Sequence, residues 1–565
     1  MLPGCVPFPP EFAERYRREG YWRGDRLGDL LRRWAAAGGD RLAVTGAGAP
    51  GVTYAELDAA ADRLAYGLRR LGLRRGDRVV VQLPNVVEFP AVCFGMLRLG
   101  ALPVFALPPH REHEIGYLVE HSQAVAYLAC DTFGGFRYGA IGAAARKASP
   151  SLRHVLLLDG PDDEGSGVVD LRPLLQDPVD VAEARASADS DPPDPSDVAL
   201  FLLSGGTTGL PKLIPRTHDD YAYNVRVSAE MSGLGPSTVY LVALPAAHNF
   251  PLGCPGLMGT LASGGRVVMA PSPKPEDALA AVEAEGVTTT ALVPALAIRW
   301  LEAVTVGTPR TPGADRRFDV SSLEVLQVGG ARLVPEVARR IGPAFGCRVQ
   351  QVFGMAEGLL NFTRLEDPDD VVVETQGRPM SPADEILIVG PDGEPVPDGE
   401  PGELLTRGPY TIRGYYRAEA HNASAFTADG FYRTGDVVRL HPSGNLSVEG
   451  RAKDLINRGG EKISAEEIEN LVLAHPAVRE AAAVAMPHPV LGEQTCAYVV
   501  LRSDESLDLL ALSAYLDARG VARYKWPERI EIVDALPVTN VGKVDKKKLR
   551  DDIAAKLAAE KEGVR

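Results

Sequence analysis

Six consecutive apolar residues, Val198-Ala199-Leu200-Phe201-Leu202-Leu203, run directly into Ser204-Gly205-Gly206-Thr207-Thr208-Gly209-Leu210-Pro211-Lys212. An apolar run of that length that stops at glycines is expected to be a core strand entering a loop. Glycines let the backbone approach a ligand closely, the Ser and Thr hydroxyls add donors, and the lysine adds a point charge. These are the parts of a polyphosphate cradle. It is not a Walker loop, because Pro211 precedes the lysine and Leu213 follows it, where that motif needs Gly-Lys-Ser/Thr opening a helix.

The flanking sequence supplies a fold class. Thr53-Tyr54-Ala55-Glu56 is a capping box, followed by Leu57, Ala61, Leu64, Leu68 and Leu71 at helical spacing. A strand is expected over Arg78 to Leu83, a helix through Phe94 to Leu99, and a strand over Leu102 to Leu107. This βαβ order implies α/β architecture, with a parallel sheet covered by helices. Asp159 to Asp197 shifts to Asp, Pro and Ser, which suggests a surface connection. Alternation then resumes, with strands expected at Arg266 to Ala270, Val287 to Val293, Leu323 to Val328 and Cys347 to Val352, and a helix at Glu276 to Glu285. The large N-terminal domain is thus two doubly wound subdomains. From Glu385 to Tyr416 short strands and turns such as Pro391-Asp392-Gly393 add a small β-subdomain. Ser464-Ala465-Glu466-Glu467 opens a further helix, so a small α+β C-terminal domain is expected. The boundary is placed between residues 1–452 and 453–565.

A chain of 565 residues needs at least two domains. The net charge of −15 argues against nucleic acid or an anionic membrane as partner. A polyanion must therefore be met by a local positive site. Cys5, Cys93, Cys130, Cys254, Cys347 and Cys496 are scattered without a Cys-x-x-Cys pair, which reads as reduced, cytoplasmic thiols. Met1 to Phe12 holds prolines and leads into acids, unlike a signal peptide. The most apolar stretch, Val92 to Leu107, is broken by Arg98 and Pro103, so no membrane span is expected.

The glycine loop resembles the phosphate-binding loop of the adenylate-forming superfamily, and the resemblance runs from Tyr16 to Lys546. Later motifs narrow it to the stand-alone aryl-acid AMP ligases of siderophore-type pathways. Tyr16-Arg17-Arg18-Glu19-Gly20-Tyr21-Trp22 is similar to an N-terminal signature of that group, although a packed aromatic clip explains it physically. The resemblance implies an ATP- and Mg2+-dependent ligase without a protein nucleophile, since the substrate carboxylate itself attacks the α-phosphorus. It gives Ser204, Gly205, Gly206, Thr207, Thr208, Gly209 and Lys212 to the phosphates. Gly329, Gly330 and Ala331 line the adenine pocket, with Val352, Phe353 and Gly354 beside them. In Gln351-Val352-Phe353-Gly354-Met355-Ala356-Glu357-Gly358, Glu357 carries the magnesium role. Many relatives have Thr where this chain has Ala356; the aryl-acid ligases have Ala.

An aspartate accepts two ribose hydroxyls well, and the resemblance gives Asp436 of Tyr432-Arg433-Thr434-Gly435-Asp436 that task, with Arg451 assisting. Lys543, in Pro537-Val538-Thr539-Asn540-Val541-Gly542-Lys543, is the implied catalytic lysine. It would bridge carboxylate and α-phosphate and offset their charge. Lys546, Lys547 and Lys548 read as solvated. Lys453 occupies the hinge position, about which the family swivels its small domain to admit an acceptor thiol.

Ala246 to Gly256 resembles the aryl-acid pocket. Asn249 would bond an ortho hydroxyl or the carboxylate; amino-acid-activating relatives place an aspartate there. Phe250 supplies a ring wall, and Gly330 and Val352 face the aryl group as well. Cys254 stands where dihydroxybenzoate ligases tend to have Ser, which favours salicylate over 2,3-dihydroxybenzoate. His248, a gate or a packed histidine and not a base, joins Lys543 and Glu357 as the third catalytic candidate. The acceptor is expected to be the phosphopantetheine thiol of a separate aryl carrier protein, since no carrier-like segment follows Lys543. Free CoA is the rival acceptor. A regulator that has lost catalysis is disfavoured by intact Lys543, Glu357 and Asp436.

Overall fold

The computed structural model describes the chain apart from residues 47, 161–166, 205–210, 306–317, 452–453, 459–460, 489–490, 520, 522, 540–542 and 564–565. It divides into two compact units. The first comprises Met1–Ser204, Leu210–Glu385 and Arg407–Tyr432; the second comprises Gly205–Gly209, Ile386–Thr406 and Arg433–Arg565.

Two twisted sheets form the first unit. One, of seven strands among the described residues, has the order Leu213–Thr217, Val198–Leu203, Leu102–Phe105, Arg78–Gln82, Ala126–Cys130, His154–Leu158, Val168–Asp170. Only Leu213–Thr217 runs against its neighbour. The predicted strand Val198–Leu203 is therefore internal, which explains its unbroken apolar run. Helix Tyr54–Arg70 starts at the predicted capping box: Thr53 Oγ1 accepts from the Glu56 N–H, and Glu56 Oε2 from the Thr53 N–H. Its Leu57, Ala61, Leu64 and Leu68 are buried, and the helix packs on helix Phe89–Leu99. Contact there is so close that a Cβ on Gly95 would lie 2.9 Å from Leu64. Arg98, which interrupts the apolar stretch, is itself buried and pairs with Asp58 and Asp62. A core arginine needs such partners.

The acidic stretch from 159 to 197 is more than the surface connection its composition suggests. It contributes the seventh strand, Val168–Asp170, and the helices Arg172–Leu175 and Val181–Ala188. Leu171, Leu175, Ala184 and Ala188 are buried, and Arg185 adds a second guanidinium to Asp58 and Asp62. The few apolar residues are spaced to face inward, while the acids around them set the composition.

The second sheet of this unit has the order Arg378–Pro379, Gly358–Phe362, Arg348–Met355, Val325–Gly329, Thr289–Leu292, Val239–Val242, Arg266–Met269, Leu42–Gly46, Ala49–Thr53 among the described residues. It is parallel from Arg348–Met355 to Leu42–Gly46 and antiparallel at both margins. Arg348–Met355 does not stop at Val352. It continues to Met355, turns at Ala356-Glu357, and returns as Gly358–Phe362. The N-terminal aromatics pack as a clip: Tyr16 and Trp22 are buried edge to face, and the Trp22 indole N–H donates to the Pro409 carbonyl at 2.8 Å.

The second unit holds the sheet Glu385–Val389, Gly402–Arg407, Tyr432–Leu440, Leu446–Arg451, whose strand ends reach the unit boundary. It also holds a sheet built on the long hairpin Val478–His488 and Gly492–Leu501. Helix Ala465–Leu473 starts at Ser464, whose Oγ accepts from the Glu467 N–H, and buries Ile468 and Val472 on that hairpin. Lys546 is not solvated as its sequence suggests. It is half-buried and pairs with Glu469 at 2.8 Å, while Lys547 and Lys548 are exposed.

Candidate active site

In the first unit, the strand Val198–Leu203 delivers Ser204 to the start of the glycine loop. Ser204 Oγ accepts from the Lys212 N–H at 3.0 Å, and the Ser204 N–H donates to the Lys212 carbonyl at 3.0 Å. The two ends of the loop are thus pinned together at its neck. Gly205, Gly206, Thr207, Thr208 and Gly209 lie outside the described residues. The Lys212 ammonium stands 5.8 Å from the centre of the Tyr415 ring.

Glu357 sits in the two-residue turn after Arg348–Met355 and is 8% exposed. Its Oε1 accepts from the Tyr415 hydroxyl at 2.7 Å, and the Tyr415 and Tyr432 hydroxyls are 2.9 Å apart. Its carbonyl accepts from the Ile412 N–H, and the preceding Ala356 carbonyl from Arg216 Nη1. Burial, then the neighbouring Glu357 charge, drive the Tyr415 phenol far above its ordinary range.

The aryl-pocket candidates share the same unit. His248 caps the short helix Asn249–Gly253, its Nδ1 accepting from the Phe250 N–H at 3.3 Å. That contact is the local role of a capping side chain. Asn249 is buried, and its Oδ1 accepts from the Tyr221 hydroxyl at 2.9 Å, which fixes the amide orientation. Cys254 is buried against the amides of Asn224 and Asn249, with Asn224 Nδ2 at 3.8 Å from the sulfur. Burial pushes its thiol up to about 12, so it is a neutral, buried group. Phe250 lies against Gly329: a Cβ on that glycine would come within 3.0 Å of the ring and 2.6 Å of the Val352 carbonyl. Gly329 and Val352 are register partners in adjacent strands. Gly330 has φ +83°, the left-handed conformation that favours glycine, and turns the chain toward exposed Ala331. Val352 is buried; Phe353 and Gly354 follow it, half-buried, on the same strand.

The second unit holds the remaining candidates. Asp436 is buried on Tyr432–Leu440, where its N–H donates to Thr434 Oγ1 and Thr434 Oγ1 donates to the Leu404 carbonyl. Its ladder partner is Arg451. The Thr539 N–H donates to the Lys543 carbonyl at 2.7 Å and the Lys543 N–H to Thr539 Oγ1 at 3.3 Å; Asn540, Val541 and Gly542 between them lie outside the described residues. Lys453 lies outside the described residues.

Sequence reasoning missed Tyr221, Asn224 and Tyr415. Tyr221 and Asn224 are three apart on the helix His218–Met231, so they share a face. That helix is polar yet almost wholly buried, and a polar helix following a core strand is the one signal that pointed to them.

Comparison with known proteins places the chain in a family. The family model for the AMP-binding enzyme matches residues 31–416, and that for the AMP-binding enzyme C-terminal domain matches residues 467–543. A salicylyl-CoA synthase / salicylate adenylyltransferase of a Streptomyces species is 56% identical over 553 residues, covering 98% of either chain. The 2,3-dihydroxybenzoate-AMP ligase of Bacillus subtilis is 53% identical over 559 residues, covering 99% of either chain. The apo structure of Mycobacterium smegmatis MbtA is 47% identical, with a TM-score of 0.73, over 97% of this chain and 98% of that one. This chain therefore belongs to the AMP-binding enzymes of the adenylate-forming superfamily, among their aryl-acid-adenylating members.

Proposed function

We propose that the chain adenylates salicylate with ATP and passes the salicyl group to the phosphopantetheine thiol of a separate aryl carrier protein. The observation that carries the substrate assignment is the Asn249 amide, held by Tyr221 beside a neutral, buried Cys254 thiol and the Phe250 ring. An α-amino acid would need an anion for its ammonium, and an amide does not supply one. A thiol is a poor partner for a second ring hydroxyl, which ranks salicylate above 2,3-dihydroxybenzoate.

In the first step a carboxylate oxygen bonds to the α-phosphorus while the bond to the bridging oxygen breaks, and pyrophosphate leaves. Lys543 offsets the charge as the two anions meet. Asp436 holds the ribose hydroxyls, with Arg451 beside it. Ser204 and Lys212 frame the loop that receives the phosphates. In the second step a thiol sulfur bonds to the carbonyl carbon and AMP leaves. Lys453 serves as the hinge between residues 1–452 and 453–565, so that one site serves both steps.

Glu357 fits a magnesium ion of the kind that takes one carboxylate from protein and the rest from phosphates and water. It is a single carboxylate, oriented by Tyr415, and no cluster of three or more His, Cys, Asp or Glu occurs among the described residues. When bound, the ion would neutralise phosphate charge. A second reading, free CoA as acceptor, is favoured by the similarity to the Streptomyces salicylyl-CoA synthase.

The test is aryl-acid-dependent exchange of labelled pyrophosphate into ATP across substituted benzoates, followed by thioester formation with CoA and with a holo carrier. Salicylate should give the highest kcat/KM, and Lys543→Ala should abolish exchange while ATP binding persists. Exchange with no aryl acid would refute the substrate reading. Near-normal exchange by Lys543→Ala would refute the role of the lysine.

A further inference from the structure

The hydroxyl contacts around Glu357 have a direction. An ionised carboxylate only accepts, so the single Tyr415 proton is spent on Glu357 Oε1. The Tyr432 hydroxyl must then be the donor in its 2.9 Å contact with Tyr415. The result is a one-way chain, Tyr432 to Tyr415 to Glu357, whose members are 7%, 3% and 8% exposed. Donors in series polarise one another in a poorly solvated site.

Tyr415 is itself held on both sides. Its backbone N–H donates to Asn422 Oδ1 at 2.9 Å, and Asn422 Nδ2 returns a bond to its carbonyl at 2.9 Å. Gly414 makes room for that clamp, since a Cβ there would lie 3.1 Å from Asn422 Nδ2. The His421 and Tyr432 rings pack beside the Tyr415 ring, and Phe426 stacks obliquely on Tyr432. The Ile412 N–H, three residues earlier, binds the Glu357 carbonyl. One segment thus fixes both the backbone and the carboxylate of Glu357.

We propose that Tyr415, seconded by Tyr432 and clamped by Asn422, is a positioning residue that holds the Glu357 carboxylate in the orientation needed to bind a divalent cation with ATP. The inference rests on the magnesium role of Glu357. Partners that orient a ligating carboxylate are worth roughly 10- to 100-fold in metal affinity in other proteins.

The test is calorimetric titration of the full-length chain with ATP, without Mg2+ and over a series of Mg2+ concentrations, for Tyr415→Phe, Tyr432→Phe and Glu357→Gln. Thermal melting of each variant checks folding. Tyr415→Phe should raise the Mg2+ concentration that gives half of the added ATP affinity by about tenfold. Tyr432→Phe should raise it in the same direction but by less, as the outer member of the chain. Binding of ATP without Mg2+ should be unchanged in both, a pattern that general loosening of the fold would not give. If Glu357→Gln shifts the Mg2+ dependence and Tyr415→Phe does not, the positioning role is refuted and the role of Glu357 stands. If Glu357→Gln leaves the dependence unchanged, the role of Glu357 is refuted and the inference with it. Should Tyr415→Phe fail to fold, an unshifted Tyr432→Phe refutes the chain.

Discussion

The packing of Phe250 against Gly329 makes a quantitative demand on the proposed aryl pocket. In Gly329→Ala the new methyl would lie 3.0 and 3.1 Å from two carbons of the Phe250 ring and 2.6 Å from the Val352 carbonyl oxygen. Ordinary contact begins at 3.4 Å, so the ring must yield by a few tenths of an ångström. The carbonyl belongs to the next strand, paired in register with Gly329, and is the harder of the two to move. Overpacking of a filled core costs about 1–3 kcal/mol. With the Phe250 ring as one wall of the proposed aryl pocket, part of that cost should appear as lost salicylate binding, with KM up about tenfold for each 1.4 kcal/mol. The KM for ATP should move far less. Phe250→Leu alone should also weaken salicylate, by removing the wall. In the double variant the leucine relieves the ring contact, so the two losses should not add. The expected coupling is about 0.5–3 kcal/mol in kcat/KM for salicylate, read from pyrophosphate exchange. Losses that add to within about 0.3 kcal/mol would refute the idea that Gly329 is glycine for the sake of that ring.

Two further predictions concern single side chains. Cys254→Ser replaces a buried, neutral thiol by a stronger donor and acceptor beside Asn224 and Asn249. The ratio of kcat/KM for 2,3-dihydroxybenzoate over salicylate should rise by about 5- to 150-fold, as one buried hydrogen bond of about 1–3 kcal/mol allows, and an unchanged ratio removes Cys254 from specificity. Asp384 should make stability depend on pH. Its Oδ2 takes the Tyr410 hydroxyl at 2.6 Å and the Ser381 N–H at 3.3 Å, Oδ1 is buried, and burial raises the carboxyl from 3.8 to about 8. A carboxyl raised on folding binds its proton more tightly in the native state, so its stabilising effect is full below about 4 and is lost as pH rises to about 8. Asp384→Asn should flatten the fall in melting temperature between pH 5 and 8.5; an unchanged slope would place the titration elsewhere.

Periodicity and capping chemistry make the frame legible in the sequence. Val198–Leu203 is apolar at every position because it is internal to a mostly parallel sheet, with a strand on either side, and Thr53 with Glu56 marks a helix start through purely local bonds. Both signals lie within a few residues of the feature they report. The proposed pocket residues Asn249, Phe250 and Cys254 fall in one short stretch, so a single motif names them together, and the fold keeps them on and just after the helix Asn249–Gly253.

What stayed hidden depends on partners distant in sequence. Lys546, Lys547 and Lys548 are the same letter three times, and only the fold, by bringing Glu469 within 2.8 Å of the first, separates a structural ion pair from two solvated charges. Tyr415 is similar, because its hydroxyl meets Glu357 across 58 residues of chain. No periodicity or composition distinguishes it from Tyr416, which turns into the hydrophobic core near Phe201. The adjacent tyrosines differ because Gly414 admits the Asn422 amide, which grips the backbone of Tyr415. It follows that Gly414→Ala should disturb Glu357 without touching it. An added Cβ would push on the clamp at 3.1 Å and on Val6 at 2.6 Å, and the Tyr415 hydroxyl is the end of the lever that this displacement moves.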